Sequence, residues 1–100
     1  MEIAVPPMPC YLAEWYRPEV TDAAVDATVT RLDETAASMC SEGMSVQLLM
    51  TLAVPTDEVM FCVFAADSAQ SVAQVCQRAG LPAERLTAAA DARILQIETE

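Results

Sequence analysis

Residues 45–64 read SVQLLMTLAVPTDEVMFCVF, two apolar runs separated by Pro55-Thr56-Asp57-Glu58. In the first run Val46, Leu48, Met50, Leu52 and Val54 alternate without a break with Gln47, Leu49, Thr51 and Ala53. A period of two predicts a strand with one fully buried face. In the second run Val59, Phe61 and Val63 alternate with Met60, Cys62 and Phe64, so both faces are apolar. Such a strand belongs at the centre of a sheet, covered on both sides. Proline followed by Thr and acids is ordinary hairpin-loop chemistry. The stretch therefore predicts a hairpin whose second strand lies inside a sheet.

Upstream, Cys10 to Tyr16 (CYLAEWY) reads as another strand. Leu12, Glu14 and Tyr16 share one face; Tyr11, Ala13 and Trp15 share the other. Pro18 is expected to end it, and residues 1–9 to form an extended, proline-rich lead. From Val20 to Met39 the period changes. Val25, Val29, Leu32, Ala36 and Met39 fall on one helical stripe. Thr21 is the expected N-cap, with Asp22 and Asp26 near the positive helix end, and Gly43 lies in the exit loop.

After the hairpin, Asp67 stands three residues before Gln70 in the manner of a capping box. A second helix is expected to about Ala79, with Ala69, Val72, Ala73, Cys76 and Ala79 facing inward. Gly80 suits a left-handed C′ position, and Pro82 blocks continuation. In RLTAAADARILQI, residues 85–97, alanine suits helix better than strand, so the last strand is expected at ILQI.

The order β-α-β-β-α-β predicts an α+β fold, the ferredoxin-like plait. Its four-stranded antiparallel sheet has order 4-1-3-2 and both helices on one face. A single domain over residues 10–97 follows the lead. The helices cover one sheet face only. With 54% of residues hydrophobic and 20% charged, stacking of two sheets is the expected cover, giving a homodimeric α/β barrel.

Fifteen acids oppose five bases, for a net charge of -10. Phosphate recognition needs a cationic face, so nucleic acid is disfavoured as a partner; an anionic membrane surface repels such a chain too. All five bases are arginines, and the chain has neither His nor Lys. Ser-His and Cys-His pairs, imidazole metal ligands and lysine Schiff bases are excluded. The four cysteines, Cys10, Cys40, Cys62 and Cys76, have no CxxC spacing. MEIAVPPMPC has no basic or apolar segment of the signal-peptide kind, and free thiols suit a cytoplasmic setting.

Glu14 is an acid inside an apolar strand. It reads either as a sheet-edge carboxylate paired with Arg93 or Arg17, or as a general base or ligand in the cavity that a dimer would enclose. Cys62 reads as a small buried hydrophobe, or as a thiolate needing an arginine nearby. Gln47, Thr51 and Arg93 complete the candidate ligand-binding set with Glu14 and Cys62. Cys62 and Glu14 are also the candidate metal ligands, a divalent metal being the one cofactor weighed. A closer approach of Cys10 to Cys62 depends on a register that sequence does not fix. Asp57 and Glu58 read as solvated turn acids, and the methionines as core filler.

Three pieces in order carry a family resemblance. They are Met8-Pro9 ahead of the strand bearing Glu14, then Phe61-Cys62-Val63-Phe64, then Arg78-Ala79-Gly80-Leu81-Pro82-Ala83-Glu84-Arg85. Over about residues 8–92 the chain resembles small ferredoxin-like bacterial domains, mostly of unknown function, some described as nickel-binding proteins. The resemblance implies the plait. It carries the metal poorly, because members often have His late in the second helix, where Gln74 and Val75 stand. They also often have His or Ser near the end of the second strand, where Leu52 and Ala53 stand. Only Glu14 and Cys62 match positions that could serve a site.

Three functions fit these residues. The first is a non-catalytic, small-molecule-binding dimer. The second is a cofactor-independent enzyme of isomerase, cyclase or monooxygenase type, with Glu14 as base and Tyr16 or Tyr11 as acid or orienting donor. The third is a subunit whose open sheet docks on a different protein.

Overall fold

Thr21 opens the chain's longest element by accepting the Ala24 N–H at 3.2 Å through its hydroxyl. The computed structural model describes residues 2–16 and 20–96; Arg17 and Pro18 lie outside them. In chain order the elements are β1 (Glu2–Ala4), β2 (Cys10–Tyr16), α1 (Asp22–Ser41), β3 (Val46–Val54), β4 (Val59–Ala66), α2 (Ala69–Arg78), β5 (Arg85–Ala90) and β6 (Ile94–Gln96). The fold is α+β, as expected: two helices and a sheet of antiparallel strands, in the observed order β3-β4-β2-β5. β1 and β6 form a separate two-stranded ribbon.

Both helices press on one sheet face. Leu32, Ala36 and Met39 of α1 and Val72, Val75 and Cys76 of α2 share a core with Tyr11, Ala13, Trp15, Met60, Cys62 and Phe64. The Trp15 indole N–H donates to the Leu81 carbonyl at 2.9 Å, tying β2 to the α2–β5 connection. Phe64 is fully buried, and truncating such a ring to Ala costs about 3–5 kcal/mol.

Four local expectations are corrected. First, the cap of α2 is Ser68, which accepts the Ser71 N–H. Asp67 instead accepts the Ser71 hydroxyl at 2.6 Å and the Ser45 N–H at 3.3 Å, and these bonds, the hydroxyl foremost, hold its carboxyl below the usual range. Second, α2 turns Val75 inward while Ala69 and Ala73 are exposed; the larger side chain gains more from burial. Gly80 takes φ 76° as expected, and the Leu81 N–H closes the helix end on the Cys76 carbonyl at 2.8 Å.

Third, β3 does not keep one face. The ladder shifts between Leu48 and Met50, a bulge with Leu49 as the extra residue. Beyond it the faces exchange. Thr51 and Ala53 stand opposite Cys62 and Met60 on the helix side, and Met50 and Leu52 stand on the open side, 52% and 51% exposed.

Fourth, the last strand of the sheet is the Ala-rich β5, whose small side chains fit an edge beside β2, while Ile94–Gln96 leaves to pair with β1. The open face carries Leu12, Glu14 and Tyr16 of β2, Val59, Phe61 and Val63 of β4, and Met50, Leu52 and Val54 of β3. The expected cover on both sides of β4 is therefore not complete within the chain: Met60, Cys62 and Phe64 are buried, and Val59, Phe61 and Val63 only half-buried.

Candidate functional site

The open face has an apolar end and a polar end. At the apolar end Leu12 and Val63 are direct neighbours across the β2–β4 pair, and Met50 lies beside Val63. Together with Leu49 they floor a cavity of about 340 Å³, and the connection from Ala90 to Ile94 closes its other side. That volume lies at the small end of the range for ligand pockets. Asp91 and Arg93 supply its charges and face each other, with Arg93 Nε 3.3 Å from Asp91 Oδ1 and Nη2 3.3 Å from Oδ2. This pairing raises the Arg93 guanidinium above its ordinary pKa, although an arginine is cationic near neutral pH in any setting.

At the polar end Glu14 pairs in register with Phe61 on one side and Arg85 on the other. Its side chain is 12% exposed, with Oε2 3.6 Å from Arg85 Nε. The Tyr16 hydroxyl donates to Glu14 Oε1 at 3.2 Å. The Glu84 N–H donates to the Glu14 carbonyl at 2.9 Å, and the Glu84 carboxylate accepts the Tyr16 N–H. Sequence patterning alone does not mark Arg85 and Glu84 as site residues. Their signal was their place at the start of a strand, but only the register sets Arg85 opposite Glu14.

Of the expected site residues, the structure brings Glu14 and Tyr16 together. Gln47 is exposed on β3, opposite Ala65. Arg93 lies at the cavity and pairs with Asp91 rather than Glu14.

Thr51 and Cys62 lie on the other face. Their Oγ1 and Sγ atoms are 3.3 Å apart on the helix side of the sheet. Burial pushes the Cys62 thiol above its ordinary pKa, the Thr51 hydrogen bond opposing in part. Burial, with Cys62 nearby, pushes Cys76 up to about 12. Thiolates are the nucleophiles and metal ligands, so these two sulfurs act as core side chains. Cys62 and Glu14 are thus not brought together as a metal pair.

Cys10 is also kept from Cys62: it pairs with Ala65, on the opposite face. All four cysteines are free. Among the described residues no group of three or more Cys, Asp or Glu side chains is placed to hold a metal ion, and no helix among them is long and apolar enough to cross a membrane.

Comparison with known proteins adds three findings. A family model described as "SCO4226-like: Nickel responsive protein SCO4226-like" matches residues 11–88. No curated protein matches the chain. The crystal structure of SCO4226 from Streptomyces coelicolor A3(2) is similar, with a TM-score of 0.62 and 18% identity over 77% of this chain and 90% of that one; at that identity the likeness is one of fold.

Proposed function

This chain belongs to the SCO4226-like family, and from that premise we propose that it is a non-catalytic domain that binds a small, largely apolar molecule on the open face of its sheet, with a second copy completing the enclosure. The observation that carries this reading is the 340 Å³ cavity between the sheet and residues 90–94. Apolar walls with a few placed polar groups are the usual make-up of a ligand site. Arg93 offers a cation to an acidic group on the ligand, and Glu14 offers acceptor positions farther along the same face.

Nickel, named in the family's description, does not fit these residues. Imidazole and thiolate are the donors that favour such a metal. Histidine is absent, Cys62 and Cys76 are held as buried thiols, and Glu14 faces away from both with Arg85 beside it. The Tyr16 hydroxyl on Glu14 favours a second reading, in which the carboxylate moves a proton and Tyr16 orients the substrate.

Titration with anilinonaphthalene sulfonate, an apolar dye with one acidic group, tests the cavity. One saturable site per chain is expected, weakened at least tenfold by Val63→Trp, which fills the floor. Absent saturation, or affinity unchanged by Val63→Trp, would overturn the reading. The enzyme reading would gain instead if turnover were found and Glu14→Gln abolished it.

A further inference from the structure

We propose that the cavity takes an apolar carboxylate, and that Asp91 fills the Arg93 fork until the ligand's carboxylate replaces it, an inference that rests on the ligand-binding reading above and narrows its ligand.

The connection that carries both charges is pinned at each end. Ala90 stands opposite Cys10 in the β2–β5 ladder, and Ile94 stands opposite Ala4 in the β1–β6 ribbon. Asp91, Ala92 and Arg93 are the residues between the two ladders, and all three line the cavity. The pair is thus held beside the apolar floor of Leu12, Met50 and Val63 by strands on both sides. Among the described residues lining the cavity, Asp91 and Arg93 are the only charged ones.

The pair itself shows what the Arg93 fork accepts in this position. Nε meets Oδ1 and Nη2 meets Oδ2, each at 3.3 Å, so two donors face the two oxygens of one carboxylate. Strong contacts of this kind run at about 2.7–2.9 Å, and both of these are longer. Arg93 and Asp91 are also 66% and 69% exposed, and ion pairs screened by solvent are weakly held. A ligand carboxylate repeats the same two bonds while its hydrocarbon leaves water for the floor. The displaced Asp91 carboxylate returns to water. The exchange keeps the Arg93 contacts and adds apolar burial.

A cationic ligand on Asp91 is the opposite choice. It would replace a planar guanidinium, with two donors in one plane, by an ammonium that acts as a point charge. The carboxylate exchange substitutes like for like. The chain as a whole carries -10 and repels an anion, so a carboxylate is held here only through a placed cation, and Arg93 is the one that lines this cavity.

The test is isothermal titration of the full chain with octanoate, 1-octanol and octylamine, which share a chain and differ in head-group charge. One site per chain is expected for octanoate and for octanol. The ratio of octanoate to octanol affinity should rise roughly threefold in Asp91→Asn and fall roughly threefold in Arg93→Gln, the size of a solvent-screened charge contact. Absence of both octanoate and octanol binding would overturn the ligand-binding reading and this inference together. Octanol binding without octanoate binding, or octylamine tighter than octanoate, would overturn the carboxylate assignment alone. A ratio that either variant leaves unchanged would overturn the exchange. The native chain supplies a measurement free of any misfolding in the variants: the nuclear magnetic resonance signal of the Arg93 Nε–H should move with octanoate and stay in place with octanol. A shift with both probes or with neither overturns the proposal.

Discussion

The Thr51 hydroxyl lies 3.3 Å from the Cys62 sulfur across the β3–β4 pair, on the side of the sheet facing the helices. One residue along β4, Phe61 stands opposite Glu14 on the other side. A single step in a strand reverses the face, so the sheet itself separates the Cys62 sulfur from the Glu14 carboxylate.

Buried thiols make stability fall in alkali. Cys76 is raised from 9.0 to about 12 by burial and by Cys62, and Cys62 is raised by burial. Below the unfolded-state value near 9 both states hold the proton and the stabilisation is fully present. Above it the unfolded chain releases the proton first, and stability is lost as pH rises toward the folded value. For Cys76 the interval corresponds to on the order of 4 kcal/mol. Denaturant unfolding from pH 8 to 11 should show the decline, and Cys76→Val should flatten it. An equally steep decline in that variant would assign the loss to other groups.

The bulge at Leu49 gives a second prediction. Leu52→Glu should cost the folded chain less than about 0.5 kcal/mol, as surface substitutions do, while weakening self-association through the open face. Ala53→Leu should cost about 1–3 kcal/mol by overpacking the helix side. Uninterrupted alternation from Val46 to Val54 would reverse the two costs. Chemical denaturation of both variants decides between them.

Much of the fold was legible because each strand's own pattern names its faces. Alternation puts Tyr11, Ala13 and Trp15 on one side of β2, and all three are core. The stripe ending in Leu32, Ala36 and Met39 was read directly from helical spacing. What failed depended on information that alternation does not hold. A bulge leaves no mark in LLMTLA, since apolar residues occupy both faces there. The sheet's edge was misplaced because three alanines favour helix locally, yet an edge beside β2 accepts small side chains. The Glu14–Arg85 contact is a register fact, and register arises from the whole ladder. So Glu14 was visible as an acid in an apolar strand, while its partner was not.

The Glu14–Arg85 pair should contribute little to stability. Arg85 is well exposed and the contact is 3.6 Å, which places the pair with solvent-screened ion pairs worth about 0–1 kcal/mol. A double-mutant cycle with Glu14→Gln and Arg85→Gln should return a coupling within that range. If dye or ligand affinity changes with Glu14→Gln while stability holds, the carboxylate serves the site. A coupling of several kcal/mol would instead make the pair a structural anchor of the β2–β5 edge.

Metal provides the sharpest contrast with the family's description. Four-coordinate or larger nitrogen and sulfur sites need deprotonated, accessible donors. Of the four thiols, Cys62 and Cys76 are sealed in the core, Cys10 is buried with its sulfur 3.8 Å from the Met8 carbonyl, and Cys40 alone is exposed. One thiol and scattered carboxylates form weak, water-shared sites. Calorimetry with nickel chloride should therefore show no site tighter than about 10 μM, a binding free energy of roughly −7 kcal/mol, and thermal unfolding should not shift with equimolar nickel. Alkylating Cys40 separates the alternatives. If a tight site were found and alkylation removed it, the donor would be the exposed thiol. If a tight site survived alkylation, the face around Glu14 would have to rearrange to hold the metal, and its reading as an apolar ligand surface would fail.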